Sequence, residues 1–96
     1  MSKYVYPAVL TPEKGGYFVN FPDIESCYTQ GDDLADALEM AKDVLALRLR
    51  GYENEKKAIP RASKEEDFAL KAGQLVSWVA SDTLEYRKLM ELQLAE

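Results

Sequence analysis

β-forming apolar residues cluster near the N-terminus, apolar residues recur every three or four positions in the middle, and a short apolar run follows later. The first cluster runs from Lys3 to Leu10, where Tyr4, Val5, Tyr6, Val9 and Leu10 are β-formers and favour a strand. Pro7 has no amide donor, so the strand is expected to lie at an edge or to carry a bulge there. Thr11 to Gly16 is turn chemistry: Pro12 fixes one dihedral, and Gly15 and Gly16 are free to take positive φ. From Tyr17 to Phe21 the pattern predicts a second strand. Tyr17, Val19 and Phe21 share one face, and Phe18 and Asn20 share the other. Lys3 to Phe21 therefore reads as a β-hairpin.

Pro22-Asp23 breaks the pattern, and Glu25 to Gln30 reads as a short third strand that Gly31 ends. Asp32 or Asp33 is placed to cap a helix, and with Asp36 these acids oppose the positive end of its dipole. Leu34, Leu38, Ala41, Leu45, Leu49 and Tyr52 then form an apolar stripe, with Asp36, Glu39, Lys42, Asp43 and Arg50 on the outer face. That helix is expected to end near Gly51 and fray into Asn54. Glu53 to Asp67, polar and interrupted by Pro60, reads as an extended connection over the surface. Leu75 to Ala80 is the fourth strand, apolar on both faces, which predicts an interior or partner-covered position. Asp82 and Glu85 have capping-box spacing before a short helix from Leu84 to Leu94, whose stripe is Tyr86, Leu89, Met90 and Leu94. The predicted fold is α+β, ordered β-β-β-α-β-α. A three-stranded antiparallel meander carries one long helix, a fourth strand and a short C-terminal helix. All of it forms one domain over 1–96, with 82–96 a candidate oligomerisation element.

Composition narrows the functions. The formal net charge is −5, with no histidine and one cysteine. An acidic chain is a poor ligand for nucleic acid phosphates and suits a basic protein partner. The same acidity also serves solubility. A single thiol excludes an internal disulfide and fits a reducing compartment. No basic-then-apolar leader precedes the first strand, and no apolar run is long enough for a membrane span, so the expected place is the cytoplasm, away from membrane. Lack of histidine removes imidazole bases, dyads and metal ligands.

A metal-dependent nuclease would draw on Asp23, Glu25, Asp32 or Asp33. However, the first and fourth strands hold no acid, and capping already explains the cluster at the helix start. Cys27, with Glu25 close by, reads as a small buried apolar residue rather than a reactive thiol. Tyr4, Tyr6, Tyr17, Phe18, Phe21, Tyr28 and Trp78 lack the interleaved basic residues of a base-stacking platform and suit core and interface roles. Gly15-Gly16 lacks the Lys-Ser/Thr of a phosphate loop. No catalytic, metal or cofactor residue is assigned.

The combination of Tyr6-Pro7-Ala8, Gly15-Gly16, Phe21-Pro22-Asp23 and Cys27-Tyr28-Thr29 leading to Gly31-Asp32 resembles the N-terminal domain of HicB-type antitoxins. Leu34, Ala37, Leu38 and Ala41 continue the match, as do Ile59-Pro60 and Glu85-Tyr86-Arg87. The resemblance implies a partial ribonuclease-H-like fold without the nuclease's acids. It also implies a function: binding and blocking a small basic HicA-type toxin that cleaves mRNA. Many such antitoxins add a C-terminal helix-turn-helix or ribbon-helix-helix for operator DNA. This sequence stops at Glu96 without a basic patch, so DNA binding is not expected of it. The expected toxin contacts are Asp36, Glu39 and Asp43 on the helix and Tyr28 on the aromatic strand edge. Two alternatives stand beside this reading: a stand-alone HicB-like homo-oligomer without a toxin, and a divergent metal-dependent ribonuclease.

Overall fold

The computed structural model describes residues 3–94, apart from the side chains at 87, 90, 93 and 94. Met90 and Leu94 of the expected C-terminal stripe thus lie outside the described side chains. The elements are β1 (Lys3–Glu13), β2 (Gly16–Asn20), β3 (Tyr28–Gly31), α1 (Leu34–Asn54), a 3-10 turn (Glu65–Asp67), β4 (Leu75–Asp82) and α2 (Thr83–Leu94). The sheet is antiparallel with strand order β3-β2-β1-β4, so the meander is as expected and the fourth strand joins beside the first.

Pro7 is accommodated without a bulge, and its strand is central rather than an edge. The β1–β4 register runs unbroken from Lys3↔Asp82 to Leu10↔Leu75, whereas the β1–β2 ladder begins only at Val9↔Asn20. The hairpin closes across Lys14-Gly15 on the pair Glu13↔Gly16, with Gly15 at φ 84°. A pair that closes a two-residue loop exchanges hydrogen bonds, and bonding alternates along each strand. Odd-numbered β1 residues therefore aim their amides at β2, and even-numbered ones aim at β4. Pro7 aims at β2 just beyond that ladder's end, where no donor is needed.

Tyr6, Ala8, Leu10, Val19, Phe21 and Val79 fill one face of the sheet, and Ala37, Ala41, Leu45 and Leu49 of α1 pack on them. The small residues of that helix stripe let it sit close. Leu34 stays 42% exposed at the first turn, while Leu38 and Tyr52 cover the core's flanks. The helix backbone presses on the sheet at Gly31. A Cβ there would stand 2.3 Å from the Ala37 amide nitrogen, and one at Gly16 would stand 2.1 Å from the Gly31 carbonyl oxygen. Gly31 is thus the last residue of β3 and the seat of the helix, not merely a strand stop.

Two other boundaries and one strand position differ from the expectation. Glu25 and Ser26 form a turn, with Ser26 at φ 57°, so β3 starts at Tyr28. That turn is closed by Phe21 N–H donating to the Cys27 carbonyl at 2.9 Å, and it buries Ile24 and Cys27. Helix α1 runs through Gly51, because the turn beyond it is tied down. Tyr4 and Thr83 hydroxyls donate to Glu53 Oε2 at 2.7 and 3.0 Å. Lys56, at φ 56°, then ends the helix in the left-handed conformation that glycine usually supplies. The third difference is β4, apolar on both faces yet an edge strand of this sheet.

The connection from α1 to β4 starts on the helix side of the sheet, where it meets Tyr6, and ends on the opposite face beside Trp78 and Thr11. Tyr6 Oη donates to the Pro60 carbonyl, Ser63 N–H donates to Asp23 Oδ2 at 2.9 Å, and Trp78 Nε1 donates to Glu65 Oε1 at 2.7 Å. Gln74 Nε2 closes the path by donating to Thr11 Oγ1 at 2.9 Å. Pro7, on that outer face, is fully buried.

Burial holds the Tyr4 phenol neutral, and the Glu53 hydrogen bond and negative charge add to the effect, so its pKa is pushed up to about 12 from 10.0. Tyr6 is raised by burial and by the negative charge of Asp23.

Two measurements test this packing. Gly31→Ala is expected to cost ~2–4 kcal/mol in urea unfolding, because backbone must move. Gly51→Ala has open space in a helix and is expected to stabilise by about 0.5–1 kcal/mol. Equal effects would contradict the seat at Gly31. For Tyr4, a folded pKa above the unfolded one gives stability that is complete below pH 10.0 and lost as pH rises towards 12. Thermal melting across that window is expected to fall less steeply in Tyr4→Phe than in the parent; identical slopes would remove Tyr4 from the account.

Candidate partner-binding surface

The outer face of α1 is charged because its inner face is fully used by the core. Glu39, Lys42 and Asp43 are exposed there. Helix α2 packs alongside and encloses a groove of about 150 Å³, lined among the described residues by the carboxylates Glu39, Asp43, Asp82 and Glu85 and by the basic Lys42. Tyr86 and Leu89 add an apolar wall. The groove is built by two local devices. Ser81 Oγ donates to the Lys42 carbonyl at 3.0 Å and pins the end of β4 to α1. Asp82 Oδ1 then accepts from the Leu84 and Glu85 amides at 2.9 and 3.2 Å, starting α2 as the sequence spacing predicted.

The four residues expected to contact a partner do not form one patch. Glu39 and Asp43 stand together in the α1–α2 groove. Asp36 lies in a separate depression beside the hairpin turn, with Glu13, Lys14 and Asp32. There it is engaged in capping: Asp36 N–H donates to Asp33 Oδ1 at 2.8 Å, and Asp36 Oδ2 accepts from the Asp32 amide at 2.9 Å. Tyr28 sits on the outer face of the sheet, 58% exposed, its ring 6.0 Å from that of Phe18. Conversely, Asp82 and Glu85 belong to the acidic groove but read in sequence only as helix-capping residues. Only the fold of α2 back onto α1 brings them beside Glu39 and Asp43.

The groups considered for chemistry are placed otherwise. Asp23 holds Ser63, Asp33 caps α1, and Glu25 is in the turn before β3. Among the described residues, no three of the His, Cys, Asp or Glu type gather closely enough to share a metal ion. Burial pushes the Cys27 thiol up to about 11, a tendency that the Arg48 charge only partly offsets. At neutral pH the thiol is therefore a packing group rather than a nucleophile. The seven aromatic residues split by strand parity. Tyr4, Tyr6, Tyr17 and Phe21 go to the helix side, whereas Phe18, Tyr28 and Trp78 face outward. Among the described residues, no helix is long and apolar enough to cross a membrane.

Comparison with known proteins places this architecture. Residues 5–77 match the family described as the HicB_like antitoxin of bacterial toxin-antitoxin systems. Antitoxin HicB 1 of Photorhabdus laumondii is 50% identical over 56 residues, 57% of this chain and 36% of that protein. Antitoxin HicB of Escherichia coli K12 is 44% identical over 59 residues, 60% of this chain and 43% of that protein. The chain thus spans less than half the length of these curated relatives. Among solved structures, a toxin-antitoxin complex from Streptococcus pneumoniae superposes with TM-score 0.75 at 25% identity, over 88% of this chain and 72% of that one. A chain of the HicA3 and HicB3 toxin-antitoxin complex superposes with TM-score 0.66 at 22% identity, over 82% of this chain and 99% of that one. The N-terminal domain of the Burkholderia pseudomallei antitoxin HicB gives TM-score 0.66 at 19% identity, over 79% of this chain and 95% of that domain, and this likeness concerns the fold. The chain belongs to the HicB-like antitoxin family.

Proposed function

We propose that this chain is the antitoxin of a toxin-antitoxin pair and that its partner is a small basic HicA-like toxin that cleaves mRNA. The mechanism is occlusion in the cytoplasm: the domain, residues 1–96, covers the toxin's working surface and catalyses no step itself. The observation that carries this reading is the α1–α2 groove, where among the described residues Glu39, Asp43, Asp82 and Glu85 outnumber Lys42 beside the apolar Tyr86 and Leu89. Such a groove suits a Lys or Arg side chain of a basic protein, with charge steering the encounter and apolar contact slowing release. Membership in the family and the naming of two structural relatives as toxin-antitoxin complexes support the same reading. Asp36 and Tyr28, on separate surfaces, are at most at the rim of such a contact. Binding to operator DNA forms no part of the proposal.

Self-association is a second reading with its own observation. Leu84, Leu89 and Leu92 of α2 are 45%, 51% and 67% exposed, more apolar surface than a short solvent-facing helix needs.

The toxin contact is tested by reversing charge in the groove. The double variant Glu39→Lys/Asp43→Lys alters exposed positions and should keep the parent's circular dichroism. Its affinity for the co-expressed toxin is expected to drop about 10–100-fold at low salt, with the gap narrowing as salt screens the pairs. Unchanged affinity at low salt would rule out the groove as the contact.

A further inference from the structure

The acidic groove continues past α2. A second depression of about 290 Å³ opens beside it, at the end of the β1–β4 pair, and the two share Lys42, Ser81, Asp82 and Glu85. Passing from one to the other changes the charge. Glu39 and Asp43 line the first and not the second, whereas Lys3, with the uncharged Tyr4, Val5 and Ala80, lines the second and not the first. Among the described residues, the groove is lined by four carboxylates and one ammonium, and the depression beyond it by two of each.

Lys42 stands where the two meet, and its backbone is fixed there. Its carbonyl accepts from Ser81 Oγ at 3.0 Å, which ties this turn of α1 to the end of β4. Its head group is uncommitted. Glu39 precedes it by three residues, a spacing that permits an ion pair on a helix, and Asp43 follows it directly. Yet the ion pairs among the described residues are Arg50–Glu53 and Lys57–Glu55, and neither Lys42 nor Lys3 takes part in one. A lysine that only screened the helix acids would be paired with them. This one is left for a group from outside.

We infer that the two depressions form one track and that the toxin segment lying in it is dipolar. A Lys or Arg side chain sits between Glu39 and Asp43, and an Asp or Glu side chain of the same segment pairs with Lys42, with Lys3 beyond it. The inference rests on the proposed toxin contact and adds the order of charges along it. Glu39 and Asp43 are one turn apart on α1, ~6 Å along its axis, which suits them to flank one cation. Tyr86 and Leu89 at one end and Val5 and Ala80 at the other offer apolar contact to the stems of the two charged side chains. A polyanion such as RNA fits the second depression less well than a single carboxylate, because Asp82 and Glu85 also line it and repel a phosphate backbone. A uniformly basic segment fits less well too, since its far charges would lie against Lys42 and Lys3.

The sign of a charge change tests the inference. Lys42→Glu makes the whole track more acidic, so a uniformly basic occupant would bind the variant more tightly and a dipolar one more weakly. Affinity of the full chain for the co-expressed toxin at low salt is expected to fall about 3–10-fold in Lys42→Glu and about 2–5-fold in Lys42→Met, which keeps an apolar stem without the charge. Lys3→Glu is expected to act in the same direction. Both lysines are exposed, and Ser81 holds the Lys42 carbonyl rather than its side chain, so the parent's circular dichroism should be kept. If Lys42→Glu does not fold, Lys42→Met and Lys3→Glu decide. Tighter or unchanged binding in these lysine variants, while Glu39→Lys/Asp43→Lys still weakens it, would overturn the dipolar occupant and leave the groove as the contact. Unchanged binding in Glu39→Lys/Asp43→Lys would remove the groove and this inference together. Capture of a single-stranded RNA oligonucleotide by the chain alone, lost in Lys3→Glu/Lys42→Glu, would also overturn it by assigning the lysines to phosphate.

Discussion

The close stacking of the hairpin turn, the end of β3 and the first turn of α1 controls most of what this molecule presents to its surroundings. Gly16 lies under the Gly31 carbonyl, and Gly31 lies under the Ala37 backbone, with no room for a side-chain carbon at either glycine. This contact sets how α1 enters the sheet layer. Once the helix is seated there, Ala37, Ala41, Leu45 and Leu49 turn inward. The helical period then leaves Glu39 and Asp43 facing out beside α2. The far end is fixed by a second contact, where Glu53 receives hydroxyls from Tyr4 and Thr83. A helix held at both ends makes a rigid wall for the acidic groove.

Most of the elements were legible because local physics dictated them. The β-formers of Lys3 to Leu10, the alternation of Tyr17 to Phe21, the freedom of Gly15, the cap at Asp33 and the cap at Asp82 all depend on neighbours in sequence. What escaped depends on partners distant in sequence. Pro7 in a central strand is intelligible only from where the β2 ladder stops. Gly51 reads as a helix terminator until Glu53 is seen tied to Tyr4 and Thr83. Cys27 looks like a strand residue until the loop closed by Phe21 is known. The apolar composition of β4 pointed to burial on both faces, and an interior strand and an unpaired edge strand leave the same trace in composition. At the candidate site, Glu39 and Asp43 were visible as a helical face. Asp82 and Glu85 were hidden by their second role as capping residues, and Tyr28 was grouped with acids that the sheet separates from it.

The surfaces divide by chemistry. A carboxylate groove lies on the helix side between α1 and α2, and the outward rings of Phe18 and Tyr28 lie on the other face of the sheet. That division sets the acidic groove, where the proposed contact with a cationic protein lies, apart from the outward rings. It also accounts for the buried Cys27 thiol and for Asp23 and Asp33, which hold loop and helix in place. These groups serve structure, and the proposed action of the molecule is to occupy a surface.

That central claim is most directly tested by RNA cleavage with purified components in the presence of magnesium. With the toxin's cleavage rate followed as this chain is titrated in, the account expects the rate to fall linearly to background at one equivalent, and the chain alone to leave RNA intact. A toxin that stays active in excess chain, or magnesium-dependent cleavage by the chain itself, would contradict it.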